Sequence, residues 1–169
     1  LPGAKRWSEF SPNLYELTAC LDNGETSRHI FGLREIVADG HRLLLDGRPL
    51  FLRGTLECCV FPKTGYPPTD KDSWKKEFLT IREYGFNHVR FHSWCPPEAA
   101  FQAADELGLY LQIEAPTWPN QGASLGDGKT LDTWIIRETE NILRAYGNHP
   151  SFLLMALGNE VDGCRRLPF

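Results

Sequence analysis

The sequence has neither a cluster of basic residues nor a long apolar run. It carries 18 Lys and Arg residues against 22 Asp and Glu residues, which gives a formal net charge of −4. No run of positive side chains could neutralise a row of phosphates, so we do not expect nucleic acid as a partner. No segment approaches the roughly 20 apolar residues that cross a bilayer, and residues 1–10 lack the apolar core of a signal peptide. We therefore expect no membrane segment and no targeting segment in this chain.

No Cys-x-x-Cys pair occurs among the five cysteines, which are Cys20, Cys58, Cys59, Cys95 and Cys164. An odd number of cysteines in a chain of 169 residues argues against a disulfide-stapled miniprotein. Cys58 and Cys59 are adjacent in a predicted strand, so their side chains should point to opposite faces and could not share one zinc ion. We predict buried free thiols, which behave as small apolar side chains. A thiol or metal enzyme built on Cys58, Cys59 and Cys95 would lack any recognised ligand spacing.

The sequence does have the composition of a folded globular chain, with 41% hydrophobic and 24% charged residues. Its first part, residues 1–37, indicates β structure, because strand-like runs over 15–21 and 29–36 flank an Asp-Asn-Gly turn. A lone hairpin is marginal in water, so we interpret residues 1–37 as the last strands of a β-sandwich. A second, short hairpin is predicted over 41–45 and 49–53.

From about residue 50 the pattern alternates between strands and helices. Strands are predicted at 50–56, 88–91, 109–113 and 152–156, and helices at 72–84, 98–107 and 131–146. Apolar strands joined by helices argue for an α/β fold with a parallel sheet. A doubly wound sheet usually carries a glycine-rich nucleotide motif, and neither Gly-x-Gly-x-x-Gly nor Gly-x-x-x-x-Gly-Lys-[Ser/Thr] occurs. We therefore predict a (β/α)8 TIM barrel, whose chemistry lies at the carboxyl ends of its strands.

Charged and polar side chains follow each predicted strand. Glu57 follows the first strand, residues 90–94 (Arg-Phe-His-Ser-Trp) end the second, Glu114 follows the third, and Asn159-Glu160 follow the fourth. Because the strands of a parallel barrel end at one rim, these side chains should converge there.

Aromatic side chains in the loops indicate the kind of ligand. Trp94 and Trp118 lie in loops at the predicted rim, whereas Trp74 and Trp134 have helical spacing and are expected to pack. Flat aromatic faces suit the apolar faces of sugar rings, and polar side chains suit their hydroxyls. We therefore predict a carbohydrate substrate that contacts Trp94 and Trp118.

Five runs, in order along nearly the whole chain, carry a family resemblance. They are Phe31-Gly-Leu-Arg34, Leu45-Asp-Gly-Arg-Pro-Leu-Phe-Leu-Arg-Gly54, Gly85-Phe-Asn-His-Val-Arg-Phe-His92, Ala104-Asp-Glu-Leu-Gly-Leu-Tyr-Leu-Gln-Ile-Glu114 and Asn148-His-Pro-Ser-Phe-Leu-Leu-Met-Ala-Leu-Gly-Asn-Glu160. Together they resemble glycoside hydrolase family 2, which includes β-galactosidases, β-glucuronidases and β-mannosidases. The most specific element is His-Pro-Ser followed by Gly-Asn-Glu at the end of the fourth strand.

The resemblance implies a sugar-binding jelly roll, an immunoglobulin-like sandwich and a (β/α)8 barrel that cleaves glycosides with retention. On that pattern, residues 1–37 are the last strands of the sandwich and residues 38–169 are the first half of the barrel. Glu160 matches the general acid/base, and Asn159 matches the residue that hydrogen-bonds the sugar 2-hydroxyl. Arg90, His92 and Glu114 match other family positions, and we add the rim side chains Glu57, Trp94 and Trp118 as expected substrate contacts.

A retaining glycosidase needs two carboxyl groups about 5–5.5 Å apart. The family's second carboxyl group, the nucleophile, is a Glu at the end of the seventh strand, and no residue of this chain matches it. We therefore expect this stretch to be an internal piece of a larger enzyme and to be inactive alone. The resemblance also implies a periplasmic or secreted bacterial enzyme.

Two departures from the family pattern leave the sugar open. Phe91-His-Ser-Trp-Cys-Pro-Pro97 stands where well-known members have Ser-His-Tyr-Pro, and Glu57-Cys-Cys59 stands where many place an Asn and a His. No cofactor is expected, but an inverting, calcium-assisted glycosidase on a related barrel is an alternative, with Glu57 and Glu114 as oxygen ligands of a divalent cation. A non-catalytic carbohydrate-binding module is a second alternative, although it would not need the carboxyl group of Glu160. The oligomeric state stays open.

Overall fold

The structure, a computed structural model, describes residues 2–119 and 125–161. Within these ranges the strands are β1 (Trp7–Ser8), β2 (Ser11–Pro12), β3 (Tyr15–Cys20), β4 (Thr26–Phe31), β5 (Ile36–Asp39), β6 (Arg42–Leu45), β7 (Arg48–Pro49), β8 (Gly54–Glu57), β9 (His88–Phe91), β10 (Tyr110–Glu114) and β11 (Phe152–Ala156). The helices are α1 (Lys71–Glu83), α2 (Glu98–Leu107) and α3 (Thr130–Tyr146). None of the described helices is long and apolar enough to span a membrane.

A four-stranded parallel sheet organises the second part of the chain. Its strand order is β8-β9-β10-β11, and the helices α1, α2 and α3 connect successive strands. The predicted α/β class is confirmed. The three helices lie within one residue of their predicted bounds, because their ends carry strong local signals: Asp70 caps α1 by accepting a hydrogen bond from the Ser73 amide at 2.8 Å, and Gly108 ends α2 in the left-handed conformation.

The sheet has two unlike faces because side chains alternate along each strand. Val89 and Phe91 in β9, with Leu111 and Ile113 in β10, are fully buried beside the aromatic side chains of α1 and α2. The opposite face carries the alternate residues of the same strands, which are His88, Arg90, Tyr110, Gln112 and Glu114. On this polar face, Arg90 and Glu114 lie at the carboxyl ends of their strands.

The segment between β4 and β5 corrects one strand prediction. The sequence predicts a continuous strand over 29–36, but β4 ends at Phe31 and β5 begins at Ile36. A side chain of the intervening segment bonds to the start of β11 instead: the Arg34 guanidinium donates hydrogen bonds at 2.5 Å to the carbonyl oxygens of Pro150 and Phe152. Gly32 permits this approach, since a Cβ there would lie 2.8 Å from the Pro150 Cβ.

The first strand of the parallel sheet is also shorter than predicted. β8 begins at Gly54, whereas the sequence predicts a strand from residue 50. The Asn87 side chain satisfies the preceding backbone, because its Oδ1 accepts from the Arg53 amide at 2.7 Å and its Nδ2 donates to the Phe51 carbonyl at 3.0 Å. Over this stretch, hydrogen bonds to a side chain thus take the place of hydrogen bonds to a neighbouring strand. The pattern of apolar residues in the sequence does not distinguish the two.

The predicted burial of the thiols is wrong for Cys20, Cys58 and Cys59, which are exposed. Cys20 ends β3 in an exposed hairpin, and the other two thiols lie in the loop after β8 rather than inside a strand. Cys95 is partly buried, and burial raises the pKa of its thiol to about 12. Cys164 lies outside the described residues.

Candidate active site

The carboxyl ends of the four parallel strands meet at one edge of the sheet, and backbone hydrogen bonds continue beyond the strands. The His92 amide donates to the Glu57 carbonyl at 2.9 Å, the Ala115 amide to the Ala156 carbonyl at 2.9 Å, and the Asn159 amide to the Thr117 carbonyl at 3.1 Å. Backbone hydrogen bonds thus join the loops in pairs: the loop after β8 to the loop after β9, and the loop after β10 to the loop after β11.

Arg90 links two of the predicted site residues. Its Nε donates to Glu114 Oε1 at 2.5 Å, and its Nη2 donates to Asn159 Oδ1 at 2.8 Å. The second oxygen of Glu114 accepts from the Ser93 amide at 2.8 Å, and Glu114 is only 1% exposed. The buried carboxylate thus has a countercharge and a backbone donor, which offset the cost of its burial.

Glu160 contacts a second group of predicted residues. The Trp118 indole Nε1 donates to Glu160 Oε2 at 2.6 Å, and the His92 ring packs edge to face on Trp118, with 4.8 Å between ring centroids. Trp118 is 37% exposed, and Glu160 is exposed. Such a pair can bind a ligand that has both polar groups and an apolar face: the carboxylate contacts the polar groups and the aromatic ring contacts the apolar face.

Unusual backbone conformations cluster at this edge. Ser93, Cys59 and Glu160 are three of the four non-glycine residues with positive φ in the described part of the chain, at +60°, +58° and +47°. Gly158 has a φ of +134°, and a Cβ there would lie 2.5 Å from the Thr117 carbonyl oxygen. Such conformations are costly and concentrate at functional sites. At Ser93 the benefit is visible, because its amide reaches Glu114.

Glu57 does not join this group. It pairs with Phe91 in the sheet register and so belongs to the face that packs against the helices, whereas Glu114 lies on the opposite face. Both Glu57 carboxylate oxygens accept from the Cys59 amide, and burial raises the pKa of this carboxyl group. The alternative in which Glu57 and Glu114 share a calcium ion is therefore not supported. Within the described residues, no three His, Cys, Asp or Glu side chains are grouped as metal ligands.

Trp94 is also separated from the polar edge. Its ring packs against the rings of Phe61, Trp74 and Phe91, with centroid distances of 6.2, 6.4 and 5.3 Å. The ring thus extends the aromatic core beside α1. The sequence does not show whether a Trp after a strand packs into the core or faces the solvent. Here the neighbouring aromatic side chains decide that it packs into the core.

Sequence reasoning missed three contributors to the site: the backbone amide of Ser93, the carbonyl of Thr117 and the absent side chain of Gly158. The Gly-Asn-Glu run drew attention to its last two residues, although the glycine is what permits the close approach to Thr117. Nothing in the sequence marks Ser93, because its role depends on a backbone amide.

Known proteins resemble this chain over nearly its whole length. No family model matches it. It is 31% identical over 162 residues to a β-galactosidase of Leuconostoc mesenteroides, covering 91% of this chain and 15% of that protein. It is 30% identical to the β-glucuronidase 3 of Bacteroides uniformis in its apo structure, with a TM-score of 0.74, covering 96% of this chain and 21% of that one. The predicted resemblance to glycoside hydrolase family 2 is confirmed.

Family 2 also supplies a close structural match at lower identity. The β-galacturonidase of Eisenbergiella tayi, a family 2 member bound to galacturonate, superposes with a TM-score of 0.79 at 24% identity, covering 93% of this chain and 28% of that one. At that identity the likeness concerns the fold. The chain spans about one sixth of the length of the curated relatives that it matches.

Proposed function

We propose that the protein to which this chain belongs is a glycoside hydrolase that cleaves β-glycosides with retention, and that Glu160 is its general acid/base. The arrangement of Arg90, Glu114 and Asn159 beside Glu160 carries the proposal. Galactosidases and glucuronidases among the relatives support the class of reaction.

Asn159 would bind the sugar. Because its Oδ1 accepts from Arg90, its Nδ2 amide remains as the group that donates to a hydroxyl at C2. Glu114 holds Arg90 in turn, so the buried ion pair fixes the orientation of the amide. Hydrogen bonds to the 2-hydroxyl strengthen in the transition state of glycoside cleavage, which makes this orientation matter for rate.

Glu160 would act in both halves of the reaction. As an acid it protonates the leaving oxygen, and as a base it takes a proton from the attacking water. Its exposure leaves access for a substrate. His92 and Trp118, which pack together beside it, would form the aromatic contact with the sugar, and Trp118 is better placed for this than Trp94.

We infer the architecture from the same features. The sheet β8–β11 would be the first half of a (β/α)8 barrel within residues 38–169, and residues 1–37 would be the last strands of an immunoglobulin-like sandwich. In the described part of the chain, β8 and β11 each pair on one side only, which suits a sheet that other strands extend. The nucleophile would be a Glu on a later strand of the protein.

Product stereochemistry tests the reaction. The full-length protein is incubated with a panel of aryl β-glycosides, and ¹H NMR follows the first sugar released. Retention predicts that the β anomer appears first and then mutarotates. Initial release of the α anomer would contradict retention, and failure to cleave any β-glycoside would contradict the proposed reaction.

A further inference from the structure

The hydrogen bond between Trp118 and Glu160 joins two loops that lie 42 residues apart in sequence. The loops are already tied by the hydrogen bond from the Asn159 amide to the Thr117 carbonyl, directly next to both side chains. Gly158 permits this approach, since any side chain there would meet Thr117. The two backbones therefore fix where the indole and the carboxylate can meet.

We propose that Trp118 is a positioning residue for Glu160, with its indole N–H selecting the carboxylate oxygen that does not carry the catalytic proton. The inference rests on the proposed acid/base role of Glu160. An indole nitrogen only donates, so Oε2 must act as the acceptor in this bond. The proton that Glu160 gives and takes is then carried by Oε1.

The proton balance of both steps follows. In the first, the proton on Oε1 moves to the glycosidic oxygen while the bond from that oxygen to the anomeric carbon breaks and its electron pair goes to the oxygen. In the second, a water proton moves to Oε1 while the water oxygen bonds to the anomeric carbon. Oε2 keeps its hydrogen bond from Trp118 throughout.

Such a restraint matters for a Glu side chain, because its last torsion is broad and allows either oxygen to face the substrate. The indole is itself held by the His92 ring, which packs against it at an interplanar angle of 73°. Near-attack geometry tolerates little misplacement, so loss of the restraint should reduce the rate of the step that needs the acid.

The N–H of Trp118 can be separated from its ring by substitution. Trp118→Phe keeps an aromatic face for the sugar and removes the donor. Replacement of Trp118 by 3-benzothienylalanine is stricter, since sulfur takes the place of the N–H in a ring of nearly the same shape. Trp134→Phe, at an exposed position on α3, is the matched control.

The test compares two β-glycosides of one sugar in the full-length protein. A methyl glycoside needs protonation of its leaving oxygen, whereas a 2,4-dinitrophenyl glycoside does not. We expect both Trp118 replacements to lower kcat/KM for the methyl glycoside by about 10- to 100-fold, as for loss of a hydrogen bond to a charged group, with less than about threefold change in kcat/KM for the activated one. This constant reports only the step that expels the leaving group, so the later role of Glu160 as a base does not enter the comparison. Trp134→Phe should change neither.

A double mutant separates this inference from the proposed function. In a Glu160→Gln background, Trp118→Phe should have no further effect on the ratio of the two rates, because the group on which it acts is gone. If Glu160→Gln alone leaves the ratio unchanged, the proposed acid/base is wrong. If Glu160→Gln changes the ratio but both Trp118 replacements lower the two rates equally, Trp118 serves only folding or sugar binding, and the inference is overturned.

Discussion

Arg90 and Glu114 form an ion pair with 2.5 Å between Nε and Oε1, and it lies at the carboxyl ends of two neighbouring parallel strands. Glu114 is almost fully buried, while Arg90 also reaches Asn159. The pair therefore orients Asn159, the residue before Glu160, from a position beside the proposed substrate site.

Replacement of Glu114 tests that role. In Glu114→Gln, one carboxylate oxygen becomes an NH₂ group, so either Arg90 or the Ser93 amide loses its acceptor. Removal of one partner from a fully buried pair costs about 3–5 kcal/mol, and the cost here should be somewhat less because Arg90 is partly exposed. We expect faster amide hydrogen exchange in residues 88–93 and a lower kcat.

Glu106→Gln is the control for this prediction. Glu106 pairs with Lys71 and Lys75 near the surface, where a salt bridge contributes about 0–1 kcal/mol. This variant should behave as the unmodified protein in both measurements. Equal exchange and equal kcat for the two variants would mean that the Arg90–Glu114 pair does not orient the site.

The glycine that ends α2 tests how the N-terminal segment docks. Gly108 and Gly65 have nearly the same φ, +74° and +75°, but a Cβ on Gly108 would lie 2.9 Å from the Glu9 Cα, and one on Gly65 would touch nothing. An alanine in this conformation costs about 1–2 kcal/mol at either position. Gly108→Ala should in addition displace residues 7–12.

Hydrogen exchange by mass spectrometry measures this displacement. Peptides over residues 7–12 should exchange faster in Gly108→Ala and at the normal rate in Gly65→Ala. Equal exchange in both variants would show that the close approach of Glu9 to Gly108 does not hold the segment.

A carboxyl group on α1 gives a pH-dependent prediction. Burial and the neighbouring charge of Glu57 raise the pKa of Glu77 from 4.5 to about 6. The folded protein thus binds this proton more tightly than the unfolded chain, so stability falls as pH rises from about 4.5 to 6. Glu77→Gln removes this effect and should raise Tm at pH 7.5.

The gain in Tm should vanish at pH 4.5, where the folded protein keeps the proton on Glu77. Glu83→Gln, at an exposed position of the same helix, should leave Tm unchanged at both pH values. A Tm gain for Glu77→Gln that is the same at both pH values would contradict the assigned cause.

The helices and three of the four parallel strands could be predicted closely because their signals are local. Asp70 and Gly108 bound helices, and the strands are short apolar runs. The extended segments around Arg34 and Arg53 could not, because groups distant in sequence hold them. The Arg34 guanidinium bonds to the Pro150 carbonyl, and the Arg53 amide bonds to the Asn87 side chain. Sequence position alone reveals no such pairing.

The site shows the same limit. The polar residues at the ends of the predicted strands are expected at one edge of the sheet, and the structure places four of them there: Arg90, Glu114, Asn159 and Glu160. The same expectation includes Glu57, because the position after a strand does not show to which face of the sheet a side chain points, and Glu57 shares the helix-covered face with Phe91. Trp94 packs into the aromatic core because Phe61, Trp74 and Phe91 surround its ring, and these contacts cannot be predicted from the position of Trp94 in the sequence.

The kinetics of Glu160→Gln in the full-length protein test the central claim most directly. General acid catalysis contributes about 10²- to 10⁴-fold, so kcat for a methyl β-glycoside should fall by that factor. Sugar binding should remain close to normal, and so should the first step with a 2,4-dinitrophenyl glycoside, in which dinitrophenolate leaves and the sugar stays on the enzyme. Equal kcat values of the variant and the unmodified protein on the methyl glycoside would contradict the assignment of Glu160 as the acid/base.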